Sequence, residues 1–196
     1  MAGLGMDDID AFDLYSCFPS AVEIAGLEMG IALDDPRGLT VTGGLAYFGG
    51  PGNNYVTHSI AEMMNRVRAR PGSKGMVTAN GNYVTKQSAG IYSTEPPAAT
   101  FAPRDPASYQ GTIDADRGPV VTKTANGTAR IETYTVMHDR KGPSFAILFG
   151  CLDDGSRFIA NTPDDPSLLA DMVARDYLGA AGRVRHADAL NVFTPD

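Results

Sequence analysis

A layered α/β unit followed by a small all-β barrel is the fold class this sequence predicts, on three observations. Strand-like and helix-like segments alternate over residues 1–96. Four prolines crowd into residues 95–106, where they remove backbone donors and fix φ, so that run reads as an extended linker. Beyond it, about five strand-like segments accompany one short helix, the pattern of a Greek-key barrel of the OB type. The expected division is therefore 1–96, a linker over 97–109, and 110–196.

In the first unit, residues 9–14 form a short strand candidate after Asp7-Asp8. Pro19 suits a first helical position, and residues 21–31 are apolar nearly all round, as in a buried helix. Residues 39–45 read as a second strand ending in a glycine-rich loop. Asn53 or Asn54 is placed to cap a helix whose Val56, Ile60, Met63 and Val67 share one face. Lys74-Gly75 precedes a third strand near residues 76–79, and Asn80-Gly81-Asn82 turns towards a fourth at 90–93. The order β-α-β-α-β-β implies a mixed sheet with helices packed on it.

In the second unit, residues 129–137 are rich in Thr, Ile, Tyr and Val, and residues 145–152 are almost wholly apolar, as in a central strand. Asp153-Asp154-Gly155 turns the chain into Phe158-Ile159-Ala160. Asp165-Pro166 opens a short helix through Leu168, Leu169, Met172 and Val173, and residues 184–193 supply the closing strand material.

Charge and composition narrow the function classes. The net charge of −7 argues against a nucleic-acid or anionic-membrane partner. Residues 111–196 carry nine Lys and Arg against twelve Asp and Glu, the wrong sign for a strand-binding barrel, although Tyr134 and Phe158 could stack on bases. No apolar run approaches the roughly 18 residues that span a bilayer, and no secretory signal opens the chain. Cys17 and Cys151 suit a reducing cytoplasm better than a disulfide framework. No His, Cys or Asp pairing shows metal-ligand spacing.

Three stretches carry a family resemblance. Thr42-Gly43-Gly44-Leu45-Ala46-Tyr47-Phe48-Gly49-Gly50-Pro51-Gly52-Asn53-Asn54-Tyr55 runs straight into a helix. It resembles the loop in which thiolase-superfamily enzymes carry a catalytic Gly-His-Pro, with Gly50 where the base-bearing histidine belongs. Asp10-Ala11-Phe12-Asp13-Leu14-Tyr15-Ser16-Cys17-Phe18 is similar to the Asn-Glu-Ala-Phe stretch of many thiolases and the His-Asp-Cys-Phe of the sterol-carrier type. Met76-Val77-Thr78-Ala79-Asn80-Gly81-Asn82 is similar to the Cys-x-Gly turn that closes the thiolase site. More narrowly, Tyr15-Ser16-Cys17-Phe18-Pro19-Ser20, residues 48–55 and Ile91-Tyr92-Ser93-Thr94 resemble the type 1 thiolase-like proteins, in which an additional, OB-like C-terminal domain follows the thiolase fold.

The resemblance implies that residues 1–96 are the last portion of a thiolase C-terminal half, with residues 1–5 as the tail of a helix. A thiolase needs an acylated thiolate, a histidine that activates it, a base for the α-proton and donors for the developing oxyanion. The N-terminal half that bears the nucleophilic cysteine is absent from this sequence. Gly50, Tyr15 and either Val77 or Thr78 occupy the three matching positions in the C-terminal half, and none can take the family role. The implied function is a thiolase-like unit, related to acyl-CoA acyltransferases of lipid metabolism, that helps form an acyl-CoA or thioester pocket without classical turnover. The implied ligand is acyl-CoA, with no resident cofactor. The implied partners are a missing N-terminal half, a second subunit, or further copies in a homo-oligomer. The rival reading is a non-catalytic module whose barrel docks onto an enzyme partner.

Each candidate residue has a plain alternative. Cys17 is a buried core cysteine or a weakly reactive thiol. His58 is a capping or surface residue, or a surrogate base if the fold brings it to the Gly50 loop. Gly49, Gly50, Asn53 and Asn54 either present donors to a thioester carbonyl or only permit a sharp turn, and Tyr15 faces the same pocket. Arg66, Arg68, Arg70 and Lys74 complement a helix dipole or grip a CoA phosphate, and His138 and His186 read as surface or strand-end residues.

Overall fold

The computed structural model describes residues 2–98, 100 and 102–196, so Met1, Ala99 and Phe101 of the expected helix tail and linker lie outside the described residues. The chain divides into two units, Met1–Pro106 and Ala107–Asp196.

The first unit is a three-stranded sheet, β1 (Ala11–Asp13), β2 (Lys74–Gly81) and β3 (Lys86–Ser93), in the order β1-β2-β3. β1 runs parallel to β2, and β2 antiparallel to β3. The side-chain alternation of a strand sorts the core onto two faces. Phe12, Leu14 and Met76 meet Val22, Ala25 and Met29 of α1 (Pro19–Met29) on one face. Ala11 and Val77 meet Met63 and Val67 of α2 (Tyr55–Ala69) on the other. The central strand is thus covered on both sides, which explains its unbroken buried run from Gly75 to Thr78. Gly75 makes room for α2, since a Cβ there would lie 2.0 Å from Met63 Sδ.

Four expectations for this unit are corrected. Residues 2–5 form no helix, and a 3-10 turn at Met6–Asp8 follows them. α1 is not buried all round: only one stripe packs on the sheet, while Ile24 and Leu27 stay exposed, Leu27 at 81%. Residues 39–45 are not a strand, because Thr40, Val41 and Thr42 turn their hydroxyl and amide groups onto Asp13 instead of a neighbouring strand. Asn54 sits at the N-cap of α2 but makes no cap bond, because its backbone is already in the right-handed helical region after a 3-10 turn at Gly52–Asn54.

The second unit opens with α3 (Ala107–Ala115), a helix that the proline-rich composition upstream gave no reason to expect. Five strands then close a barrel in the order β4-β5-β6-β8-β7: β4 (Gly127–Asp139), β5 (Gly142–Leu152), β6 (Arg157–Asn161), β7 (Ala181–Ala187) and β8 (Leu190–Pro195). Neighbours are antiparallel except at the closure, where β6 meets β8 in parallel through Asn161 and Val192. The gap left by that single pairing is bridged by Asn191, whose Nδ2 donates to Ile159 O and whose Oδ1 accepts Ala125 N–H. Ile131, Leu148, Phe158, Val184 and Phe193 fill the interior, joined by Leu169 and Met172 of α4 (Pro166–Ala174). Asp165 caps α4 by accepting from Ser167 N–H and Leu168 N–H, with Pro166 in the first turn, as the sequence predicts.

Candidate functional site

The glycine-rich loop reaches its neighbours through a chain of rings. Tyr15, just past β1, lies edge-on to Tyr55 at 5.5 Å; Tyr55 lies edge-on to Phe48 of the loop at 6.2 Å; and Phe48 tilts against His58 at 5.0 Å. Aromatic edges and faces prefer such arrangements electrostatically, so the ladder fixes the loop against α2. Thr78 Oγ1 accepts the backbone N–H of Tyr15 at 2.8 Å, tying the exit of β1 to the middle strand. Burial, then the Cys17 and Tyr55 groups beside it, pushes the Tyr15 phenol above its ordinary value, so it stays a hydrogen-bond donor at neutral pH.

Several predicted site residues come together here. His58 does face the glycine loop, but Asn54 Nδ2 lies 3.1 Å from His58 Nε2. Where the amide donates, Nε2 accepts and is taken up by Asn54 rather than left free. Gly49 and Gly50 adopt positive φ, 82° and 54°, and a Cβ on either would meet open space. Gly50 N–H donates to Leu45 O at 3.0 Å and Asn54 N–H to Pro51 O at 3.3 Å, so both amides are engaged within the loop. Asn53 lies exposed in the 3-10 turn.

Cys17 is half-buried rather than a core cysteine, because it follows β1 instead of lying within it, and its Sγ accepts from Asn80 Nδ2 at 3.3 Å. Val77 points into the α2-side core, and Thr78 is the residue of that pair that meets Tyr15. Two of the four basic residues are engaged elsewhere: Arg66 with Glu62 and Val41 O, Arg70 with Asp10. In the barrel, His138 Nδ1 lies 3.1 Å from Val136 O and His186 Nδ1 lies 2.9 Å from Asn191 Oδ1. Among the described residues, no cluster of His, Cys, Asp or Glu could hold a metal, and no helix is long and apolar enough to cross a membrane.

Sequence reasoning missed Asp13. Its side chain is wholly buried and collects Thr40, Val41, Thr42, Tyr55 and Ser59 around one carboxylate. The available signal was an acidic residue inside a strand, flanked by Phe12 and Leu14. Such a residue is disfavoured there unless partners satisfy it. A cavity of about 450 Å³ lies between α1 and the β2–β3 hairpin, and Ile24, Met29, Thr78, Val84 and Ser88 help line it.

Comparison with known proteins adds the family. Residues 108–189 match the thiolase-like protein type 1 additional C-terminal domain. The crystal structure of a monomeric SCP2-thiolase-like protein type 1 from Mycobacterium smegmatis is 46% identical, with a TM-score of 0.85 over 99% of this chain. These likenesses support a thiolase-like protein that carries the type 1 additional C-terminal domain. It spans 42% of that relative's length, and no curated protein matches it. The fold of this thiolase-like chain is therefore a mixed α/β arrangement with a closed five-stranded barrel. The relative is described as monomeric, which gives no support to the homo-oligomer expected from the sequence.

Proposed function

We propose that this thiolase-like chain contributes one wall of an acyl-thioester site and supplies neither its nucleophile nor its base. The observation that carries the reading is the convergence of Tyr15, Phe48, Tyr55, His58 and Thr78 at the thiolase-like loop, with no thiol among them and the His58 Nε2 taken up by Asn54. Tyr15 and His58 offer donors to a thioester carbonyl, and the open space around Gly49 and Gly50 lets a ligand approach the backbone. Acyl-CoA is the ligand class, with a relation to acyltransferases of lipid metabolism, in the cytoplasm. The rest of a thiolase-like protein or a second subunit would provide the opposite wall. The OB-type description of the second unit is supported by its five-stranded closure. Calorimetric titration of CoA and acetyl-CoA, into this chain and into an N-terminally extended version, tests the reading. Saturable binding by either supports it, and binding only by the extended version makes the site two-walled. Absence of binding by both rejects it.

One observation favours a second reading, that of an interaction module. Phe149 and Ile159 are cross-strand partners on the outside of the barrel and about half exposed, with Val121 beside them and the Arg157–Glu132 ion pair alongside. An exposed apolar patch with a polar rim fits a protein surface better than water. Under this reading, Phe149→Ser abolishes partner capture while CoA is ignored.

A further inference from the structure

The loop at residues 43–54 has two stems, residues 40–42 and the first turns of α2, and one buried carboxylate binds both. On the first stem, Asp13 Oδ2 accepts the Thr40 hydroxyl at 2.9 Å, Val41 N–H at 2.9 Å and Thr42 N–H at 3.3 Å. On the second, Asp13 Oδ1 accepts the Tyr55 hydroxyl at 3.0 Å and the Ser59 hydroxyl at 2.7 Å. The Thr42 and Tyr55 hydroxyls, 2.6 Å apart, close the stems on each other.

The network then reaches the loop itself. Thr40 Oγ1 accepts Gly43 N–H at 3.1 Å, and Thr42 Oγ1 accepts Gly44 N–H at 3.2 Å. A hydroxyl has one proton and two lone pairs, so donating Thr40's proton to Asp13 leaves its lone pairs facing the glycine amide. Those two glycines hold φ of 91° each, a conformation that L side chains rarely adopt, and they start the turn that carries Phe48 back over α2. Among the described residues, the hydrogen-bond partners of Asp13 are neutral donors, so the group serves geometry rather than an ion pair.

We propose that Asp13 is the positioning residue of the glycine-loop site, fixing the distance between the Tyr15–Thr78 side and the Phe48–His58 side. The ligand rests on the thioester reading; the positioning rests on geometry alone. Asp13→Asn keeps the side-chain size but places an amide donor against a ring of donors. Hydrogen exchange on the whole chain is expected to speed up by about tenfold at Gly43, Gly44 and Leu45, equivalent to roughly 1.4 kcal/mol, with the centre of β2 little changed. Equal acceleration throughout the first unit, or an unmoved loop, overturns the proposal. If Asp13→Asn does not fold, Thr40→Val and Ser59→Ala each remove one arm. Loop exchange unmoved in both overturns it equally. CoA titration separates the two readings. If the wild-type chain and its extended version ignore CoA, the thioester reading fails and exchange alone decides the positioning. If the wild type binds, Asp13→Asn is expected to weaken binding by about tenfold, and unchanged affinity overturns the proposal.

Discussion

Thr78 accepts the backbone N–H of Tyr15 across 63 residues of sequence, at 2.8 Å. That bond joins the exit of β1 to the middle of β2. Thr78→Val retains shape and leaves the Tyr15 amide without this acceptor. The expected cost is about 1–2 kcal/mol, read as a lower urea midpoint with an unchanged slope.

Gly150 of β5 abuts Phe158 of β6, and a Cβ at 150 would lie 2.4 Å from the ring. Phe158 is fully buried in the barrel core and cannot swing away. Gly150→Val is expected to destabilise the barrel by about 3 kcal/mol through overpacking, seen as a drop in Tm or loss of folding of the second unit.

Asp35 and Arg37 give the first unit a pH signature. The Arg37 guanidinium holds the Asp35 carboxyl down from 3.8 to about 2, first through its side-chain hydrogen bonds and then through Arg37's backbone N–H. A carboxyl depressed on folding stabilises above its ordinary value. That contribution is lost as pH falls from 3.8 towards 2. Arg37 also reaches Met6 O and Ile9 O and covers the Phe12 ring at 4.6 Å. Arg37→Met is expected to flatten the stability profile in that acid window, and added salt to shrink it in the wild type. Denaturant midpoints from pH 2 to 5 check this.

The uncovered stripe of α1 has its own consequence. Ile24 and Leu27 lie one turn apart and face solvent. Exposed apolar side chains on a sheet-packed helix favour association, so the isolated chain is expected to self-associate at high concentration. Ile24→Lys with Leu27→Lys should return it to monomer by light scattering. A monomeric wild type at all concentrations would show that this stripe needs no cover.

Legibility followed locality. The β2–β3 pairing, the Asp165-Pro166 start of α4 and the Asp153-Asp154-Gly155 turn could be read because period and turn chemistry act within a few residues, although Asn80 and Gly81 of the expected turn belong to β2 and the chain turns at residues 82–85. Residues 39–45 could not, because the strand-like Leu-Thr-Val-Thr run is redirected by a carboxylate 27 residues upstream of Thr40. No local propensity encodes that demand. Whether His58 reaches the loop stayed open in the sequence, and its occupation by Asn54 depends on a 3-10 turn that leaves Asn54 without its capping role. The apolar composition of α1 reported a helix correctly and its burial wrongly, since composition does not say how many faces are covered.

The central claim is that the glycine loop and Tyr15 form a thioester-binding wall without a nucleophile. Hydrogen exchange with and without saturating acetyl-CoA, on the chain and its extended version, tests it most directly. The account predicts protection concentrated at Tyr15, residues 43–58 and Thr78, with no acetyl group retained on Cys17. Protection confined to the barrel, to α1 with residues 84–89, or found in neither unit would contradict it.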